Sequence, residues 1–557
     1  MDSRSYTDAE FAKLVDLRRK WLGSYSDENK RFELACEIDA IEYRDYTEEQ
    51  RRSIRNRKHQ EANYIKIRIA CPHLAINRDN FITEANIAQN MPPKILFGVT
   101  ELGNVAATLC KEFRKQKIEA YNIDFFEHPF RFSSDLSRVR LERHQEKLAM
   151  LSFVSEVIAE FDIFNVIDNS TLLDSFDLSV YRELDKKIVM HYSGGEARLY
   201  NLAARKNSHL TLVEDTYFTK GLAGDITNLT NYIFYSNYAH AAVAYYNEFA
   251  GQIKLAFTEY YEIPQPIVLS DFEIYRNVSK KNVKFTIVHA PSNTHIKGSH
   301  YVADAINALK MQYDFEFIPL VGVSHDEAKA TYAKADLVVD QLLLGWYGML
   351  SLEAMAMGKP VICYLCEEFF EQTYVKDVPI INADVNNIKD KIEWALNNRD
   401  KLEELGKKGI EYVRKNHDSE KIIKRYLECY EKIPFQKPSP IKSPNRQNTQ
   451  SMDEIKTGLQ YMSSKQIDIQ EFFKINGYKK VGLYGSNEMS SQVTALMKPN
   501  AGIGLEVGEF MPDNGQQGFD AIILMMETEI NSFYIAARES CPTALVVTLN
   551  ELILLAV

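Results

Sequence analysis

The sequence predicts an α/β protein built mainly from two consecutive doubly wound domains with parallel sheets. Three observations predict this. Short apolar runs alternate with helical stretches from Pro93 onward. The alternation breaks once, at the two prolines of "IPQPIVLSDF" (263–272), and then restarts. A chain of 557 residues is also too long for one core, so three or four domains are expected.

Residues 1–92 are rich in charge and helix formers, and "FAKLVDLRRKWL" (11–22) has apolar residues at helical spacing. This region is expected to be a helical N-terminal extension with no chemistry of its own. The first Rossmann-like domain spans 93–270. Its strands are read in "KILFGVT", "IEAYNIDF", "FDIFNVID", "KKIVMHYSG", "TLVED" and "YIFYSN". The helix "ELGNVAATLCKEFRKQ" follows the first of them. The second Rossmann-like domain spans 271–433. Its strands are "VKFTIVHA", "FEFIPLVG", "DLVVDQLLL", "PVICYL" and "VPIINAD". Its helices include "YVADAINALKMQ" and "HDEAKATYAKA", then two charged helices over 385–416 and a third over 419–432. The cleft between two such domains faces the carboxyl ends of both sheets, where ligands bind.

Residues 434–451, "PFQKPSPIKSPNRQNTQS", hold four prolines and read as an extended linker. Residues 452–557 form a small Rossmann-like accessory domain, with strands in "KKVGLYGS", "FDAIILMM" and "TALVVTLNELI". "VGLYGSNEMSSQ" has Gly482 and Gly485 but no third glycine, so the dinucleotide fingerprint is incomplete. A docking or regulatory role is expected there rather than a cofactor site.

A net charge of −11 argues against a nucleic-acid partner, whose binding rests on neutralising phosphates. "RRSIRNRKH" (51–59) is a local exception, read as a solvated helix face, with a lipid or polyanion contact as the alternative. No apolar run reaches the roughly 18 residues that span a bilayer. The N-terminus has no signal-peptide core. Seven scattered cysteines suggest a reducing compartment. The cytoplasm is the expected location. A peripheral place at the inner face of the membrane, or a protein partner, is the alternative that residues 1–92 or 452–557 would serve. "CYLC" has CxxC spacing, but nothing completes a zinc site. No metal is expected.

The stretch "GWYGMLSLEAMAMGKPVICYL" (345–365) carries the chemistry. It follows a strand, turns through Gly345 to Gly348, and opens a helix that stops at Gly358, with Lys359 and Pro360 after it. Unpaired N–H groups and the dipole at such a helix start make a phosphate site. Glu353 stands one turn further in, where a carboxylate can accept two hydrogen bonds from a ribose diol. A Glu that merely caps its own helix is the plainer alternative.

This stretch resembles the nucleotide-sugar signature of glycosyltransferase family 4, which has the GT-B fold. The signature is a Glu, a Gly-aromatic-Gly loop, a second Glu eight positions after the first, and an Ala-Met-Ala-x-Gly-x-Pro-Val tail. Glu353 matches the second Glu, which the resemblance makes the ribose ligand. Gly348, Met349 and Leu350 match the loop whose backbone contacts phosphate and sugar. Gly345 stands where the family has its first Glu, and Trp346 where it has the first loop glycine. Asp340 or Gln341, at the end of the preceding strand, is the candidate to hold the donor sugar instead.

"VHAPSNTHIKGSHYVADAI" (288–306) resembles the family's Lys-Gly helix start. Lys297 matches the lysine that neutralises the diphosphate, and Ser292 replaces the usual arginine five positions earlier. "KKIVMHYSGGEAR" (186–198) resembles the His-x-x-Gly-Ser-x-x-Arg loop of a bacterial branch, with Gly195 in place of Ser. His191 is thereby expected at a strand end facing the cleft as a catalytic group, and Arg198 as an acceptor or phosphate contact. "TELGN" (100–104) takes the place of the first glycine loop, and Gly103 is expected near the donor.

The resemblance covers about residues 93–432. It implies a retaining transferase that uses a nucleoside diphosphate sugar, UDP- or GDP-linked, with no required cofactor. The acceptor would be a glycan, a lipid-linked sugar or a protein, in glycoconjugate or surface polysaccharide synthesis. His191, Lys297 and Glu353 would be catalytic. Gly348, Met349, Leu350, Asp340 and Gly103 would bind the donor. Two rival readings use the same fold. One is a catalytically reduced nucleotide-binding scaffold, and the other is a different cleft enzyme such as a nucleotide-sugar epimerase.

Overall fold

The computed structural model describes residues 6–70, 78–84, 92–126, 132–137, 144–173, 175–213, 222–245, 249, 253–254, 256–257, 259–276, 284–370 and 377–433, with four strands beyond them. The linker 434–451 lies outside the described residues.

The first sheet holds β1 (Ile95–Val99), β2 (Ala120–Asp124), β3 (Leu136–Ser137), β4 (Ile163–Ile167), β5 (Lys187–Tyr192), β6 (Ala241–Ala244) and β7 (Tyr260–Glu262). Its order is β3-β2-β1-β4-β5-β6-β7, parallel throughout. The second holds β8 (Phe285–His289), β9 (Phe315–Pro319), β10 (Leu337–Val339), β11 (Val361–Cys363) and β12 (Ile381–Asn382). Its order is β12-β11-β10-β8-β9, again parallel. The α/β reading with two parallel sheets therefore holds. β2, β4, β5, β8, β10 and β11 are buried along their whole length, as short apolar runs covered by helices on both faces must be.

Strand order reverses between β1 and β4 in the first sheet, and between β8 and β10 in the second. A crevice opens at the carboxyl ends of such strand pairs. The loops leaving β1, β8 and β10 carry Gly103, Lys297 and Gly348, so the topology itself sends the motif residues there.

Two expected strands are helical. "YIFYSN" forms the end of the helix Leu222–Ser236, with Tyr232 and Tyr235 buried. Its aromatic and β-branched residues favour strands in general, but here Tyr232 and Tyr235 line the buried side of a helix while Phe234 is exposed. Of "TLVED", the described part belongs to the 3-10 turn Ser208–Leu212. The strand that fills the sheet instead is β6, "AAVA", whose alanines give little β signal but fit a fully buried central position.

The last helix of the second segment, Ser419–Lys432, packs in the core of the first. Ile422, Ile423, Tyr426, Cys429 and Tyr430 lie among Phe97, Val105, Leu109, Phe113 and Val189. The boundary at 433 groups this helix with the wrong sheet, because an amphipathic pattern shows that a face is buried without showing against what.

The N-terminal helices α1 (Asp8–Gly23), α2 (Glu28–Glu42) and α3 (Glu48–Ala70) dock on the first sheet through buried charge. Arg18 is 2% exposed and meets Glu160 at 2.8 Å, Glu42 at 3.2 Å and Glu119 at 3.4 Å. Lys58 reaches Glu160 at 2.8 Å, and Arg55 reaches Asp39 at 3.2 Å. The basic run 51–59 is thus only partly a solvated face. Two of its cations turn inward because acids of α2 and the following domain await them.

By compactness the chain divides into two units, and the second contains residues 437–557. There β13 (Lys480–Gly485), β14 (Glu506–Glu509), β15 (Ala521–Met525) and β16 (Leu545–Thr548) form a parallel sheet in the order β14-β13-β15-β16.

Candidate donor site at the meeting of two sheets

The helix Met349–Ala356 begins at Gly348, and the amides of its first turn have no intrahelical acceptor. A Cβ placed on Gly348 would lie 3.6 Å from Lys297 Nζ and 3.6 Å from Asp340 Oδ2. The helix start, a cation and a carboxylate therefore meet at one point. Lys297 comes from the turn before the helix Ser299–Leu309, where Gly298 sits at φ 69 in the left-handed region. Its Nζ donates to Gln341 Oε1 at 2.8 Å and to Asp340 Oδ1 at 3.1 Å.

Asp340 lies where the sequence places it but does different work. It is fully buried, and its Oδ2 accepts from Ser351 Oγ at 2.6 Å and from Gly348 N–H at 3.2 Å. Burial pushes its carboxyl up, and the Lys297 charge with the Ser351 and Gly348 hydrogen bonds outweighs that, so the group stays below its ordinary value. Both its oxygens are engaged by protein groups, and none of the side chain is exposed. Asp340 positions Lys297 and the helix start, and the expected direct sugar contact is corrected accordingly. Gln341 is spent likewise, since its Nε2 donates to the Trp346 carbonyl.

Gly345 shows why no glutamate stands there. Its φ is +80, and an added Cβ would lie 2.7 Å from Cys366 Cβ and 3.0 Å from both Asn207 Nδ2 and Phe369. Asn207, from the first segment, donates to the Leu343 carbonyl at 2.8 Å. The position is sterically closed, and its left-handed backbone favours glycine. Trp346 and Tyr347 stack and point into the core, where the Tyr347 hydroxyl meets Tyr412 at 2.8 Å and His417 at 3.1 Å.

Glu353 is 5% exposed. His325 Nε2 lies 2.7 Å from its Oε1, which leaves Oε2 for a ligand hydroxyl. His325 opens the helix His325–Tyr332, capped by Ser324. The edge of Phe132, from the first segment, meets the His325 ring at 5.2 Å between centroids. Sequence reading missed His325, because its only signal is this contact across 28 positions.

Gly103 lies against Met349. At φ +67, an added Cβ would lie 2.8 Å from Met349 Cγ, so the first glycine loop rests on the donor helix start. Next to it, Glu101 is 2% exposed and accepts from the Ala107 N–H at 2.9 Å and the Ala106 N–H at 3.2 Å. Burial pushes its carboxyl up to about 7. Leu350 lies beside Met349 in the first turn of the donor helix and is partly buried.

His191 does not face the cleft. It is fully buried, with Nε2 at 2.9 Å from Asn165 Oδ1 and Nδ1 at 3.1 Å from the Tyr245 hydroxyl. Its ring stacks on Tyr426 of the helix Ser419–Lys432, at 5.7 Å and 10°. Burial pushes its pKa down to about 3, so it is a neutral core histidine. The catalytic role expected for His191 is corrected on that geometry. Arg198 is 7% exposed, with its guanidinium over the Phe249 ring at 5.5 Å. Cys363 and Cys366 are both buried as single thiols. Among the described residues no group of His, Cys, Asp or Glu converges as a metal site, and no helix is long and apolar enough to cross a membrane.

Residues 279–412 match the family model described as Glycosyl transferases group 1. The match covers the Lys297, Asp340 and Glu353 cluster whole. Trehalose synthase of Pyrococcus horikoshii is 28% identical over 159 residues, which are 28% of this chain and 38% of the relative. Trehalose synthase of Thermococcus litoralis is 24% identical over 164 residues, 29% of this chain and 40% of the relative. The chain thus spans about two fifths of the length of these curated relatives. Among solved structures, Anabaena Alr3699/HepE in complex with UDP-glucose superposes with a TM-score of 0.44 at 13% identity, covering 61% of this chain and 99% of that one. Sucrose-phosphate synthase from Thermosynechococcus elongatus gives 0.40 at 14%, covering 61% and 98%. Superpositions at this level bear on neither substrate nor mechanism.

Proposed function

We propose that this protein is a retaining glycosyltransferase that moves a sugar from a UDP- or GDP-sugar to a hydroxyl of a glycan, lipid-linked or protein acceptor, in glycoconjugate or surface polysaccharide synthesis. The observation that carries the reading is Lys297 Nζ held beside Gly348 and the start of the helix Met349–Ala356, with Glu353 one turn further in. A diphosphate at that point receives the lysine charge and the first-turn amides. Glu353 Oε2 accepts from the ribose, and His325 holds the other oxygen. In transfer, the acceptor oxygen bonds to the anomeric carbon as the bond from that carbon to the diphosphate breaks. The acceptor proton passes to the departing diphosphate. Negative charge grows on that leaving group, so preorganised donors there lower the barrier. The retaining outcome and the lack of a required cofactor rest on the family resemblance. The cytoplasm, or the inner face of the membrane, is the proposed place of action.

One observation favours the scaffold alternative. Gly345 has no room for a side chain and Asp340 is committed to the protein, so neither offers an acceptor to donor-sugar hydroxyls. Incubation with a panel of nucleotide sugars, with and without acceptors, separates the two by released nucleotide. Release that rises with an acceptor supports transfer. Nucleotide binding without release under any condition supports the scaffold.

A further inference from the structure

A groove of about 830 Å³ opens beside the donor site, between α1 and the helix Val105–Lys115. Asn104 lies in its wall, one residue from the Gly103 that touches Met349. The groove therefore begins where the donor loop ends, and the N-terminal extension supplies its far side through Phe11, Ala12 and Val15.

Its charge runs against that of the chain. Arg19, Lys111, Arg114, Lys115 and Lys117 line it, against the carboxylates of Asp8, Asp135 and Asp271. The whole protein carries −11. A positive cleft on an acidic protein concentrates anions where the rest of the surface repels them. The lysines are accessible, although Lys115 pairs with the buried Glu112. Lys111 pairs with Asp271 while both side chains are nearly half exposed, and Lys117 pairs with the almost fully exposed Asp8. Exposed pairs of this kind are weak, so a ligand anion displaces them readily. The half-exposed Arg19 and the more buried Arg114 share the single buried carboxylate of Asp135, which leaves one positive charge in excess. Arg114 Nε and Ser134 Oγ are buried there with no hydrogen-bond partner among the described residues. Thr108 and Asn104 add groups that pair with hydroxyls, and α1 adds a flat apolar side.

We infer that this groove is the acceptor site and that it takes a phosphate ester of a sugar or polyol. The inference rests on the transferase reading for the word acceptor, but the groove's preference for a phosphate does not depend on it. Guanidinium and ammonium groups hold the phosphate, the amide and hydroxyl side chains hold the polyol, and a free hydroxyl points along Asn104 and Gly103 toward the donor. The phosphate belongs either to a soluble sugar phosphate or to a phosphorylated lipid carrier.

Calorimetric titration of the full chain tests this with glucose 6-phosphate and glycerol 3-phosphate against glucose and glycerol. Phosphatidylcholine vesicles with and without polyprenyl phosphate form the second arm. The phosphorylated probe should bind at least tenfold more tightly than its neutral parent, in one arm or both, and the responding arm names the source. The doubly substituted Lys111→Glu, Lys117→Glu chain should lose at least tenfold of that affinity while binding UDP within twofold of the parent. Equal binding of phosphorylated and neutral probes in both arms overturns the inference. So does phosphate binding that the charge reversal leaves unchanged, since the anion then sits elsewhere. Absence of both UDP and GDP binding by the parent chain would remove the transferase reading and leave the groove result standing.

Discussion

Lys297 Nζ lies 3.1 Å from Asp340 Oδ1, and the other oxygen of that carboxylate holds the Gly348 N–H and the Ser351 hydroxyl. One buried acid thus fixes both halves of the phosphate site, the cation and the helix start. Removing one member of a buried ion pair leaves the other uncompensated, at about 3–5 kcal/mol. Asp340→Ala should lower stability to denaturant by that amount and weaken UDP binding at least tenfold. A group that touched only the donor sugar would spare the bare nucleotide, so calorimetry with UDP alone separates the two roles.

Gly345 admits no side chain. A left-handed backbone costs a non-glycine residue about 1–2 kcal/mol, and Cys366 Cβ at 2.7 Å adds a collision. Gly345→Ala should lose more than 2 kcal/mol (about the upper end of that range) in denaturant unfolding. Gly345→Glu, which writes the family signature back in, should lose more and gain no turnover. A Gly345→Glu chain as stable as its parent would mean that the loop has room to open.

What the sequence made legible follows from the range of the interactions involved. β1, β4, β8 and β10 were readable because a short apolar run between turn residues is a local signal. The donor loop was readable because strand, turn, helix and chemistry all lie within 336–358. His325 was not, because its meaning is a contact with Glu353 that the chain makes only after β9 and β10 pair through β8. His191 misled for the same reason. The helix that buries it arrives 235 positions later, at Tyr426. Asp340 was found, but its direction is set by Ser351 and Gly348, and sequence position carries no direction.

Glu353 and His325 should behave as one unit. Glu353→Ala should weaken UDP binding at least tenfold, about 1.4 kcal/mol. His325→Ala should weaken it less, because the carboxylate stays but loses its orientation. Residues in direct contact couple by about 0.5–3 kcal/mol, so the double substitution should cost less than the sum. Strict additivity in a calorimetric double-mutant cycle would show that His325 does not act through Glu353.

Glu101 is buried under the Gly103 loop, with its carboxyl pushed up to about 7 from 4.5. The folded state therefore holds this proton where the unfolded state has lost it. The resulting stability is full below pH 4.5 and is lost as pH rises through about 7. Glu101→Gln removes the charge and keeps one of the two oxygens that accept from the Ala106 and Ala107 amides. Its stability relative to the parent should improve by roughly 3 kcal/mol between pH 5 and 8, because each pH unit between the unfolded and folded values is worth about 1.36 kcal/mol. A difference that stays flat with pH would mean that the carboxyl ionises in place without cost.

His191 gives the opposite sign. Its pKa is pushed down to about 3 by burial, against 6.5 for the free side chain. Above pH 6.5 both states are neutral and the contribution to stability is complete. As pH falls from 6.5 toward 3, the unfolded chain takes up a proton that the native core refuses, and stability falls by about 1.4 kcal/mol for each pH unit. His417 and His240, each pushed down to about 4, add to the acid loss in the same window, so only a difference between variants isolates one ring. His191→Gln keeps partners for Asn165 and Tyr245 but does not titrate. It should be less stable than the parent at pH 7.5, where it packs less well against Tyr426, and its stability should fall less steeply between pH 6 and 4. UDP affinity should stay within twofold throughout, because no atom of the ring reaches the cleft. A variant with parental stability and an acid profile like the parent's, but lost transfer, would return His191 to the reacting centre.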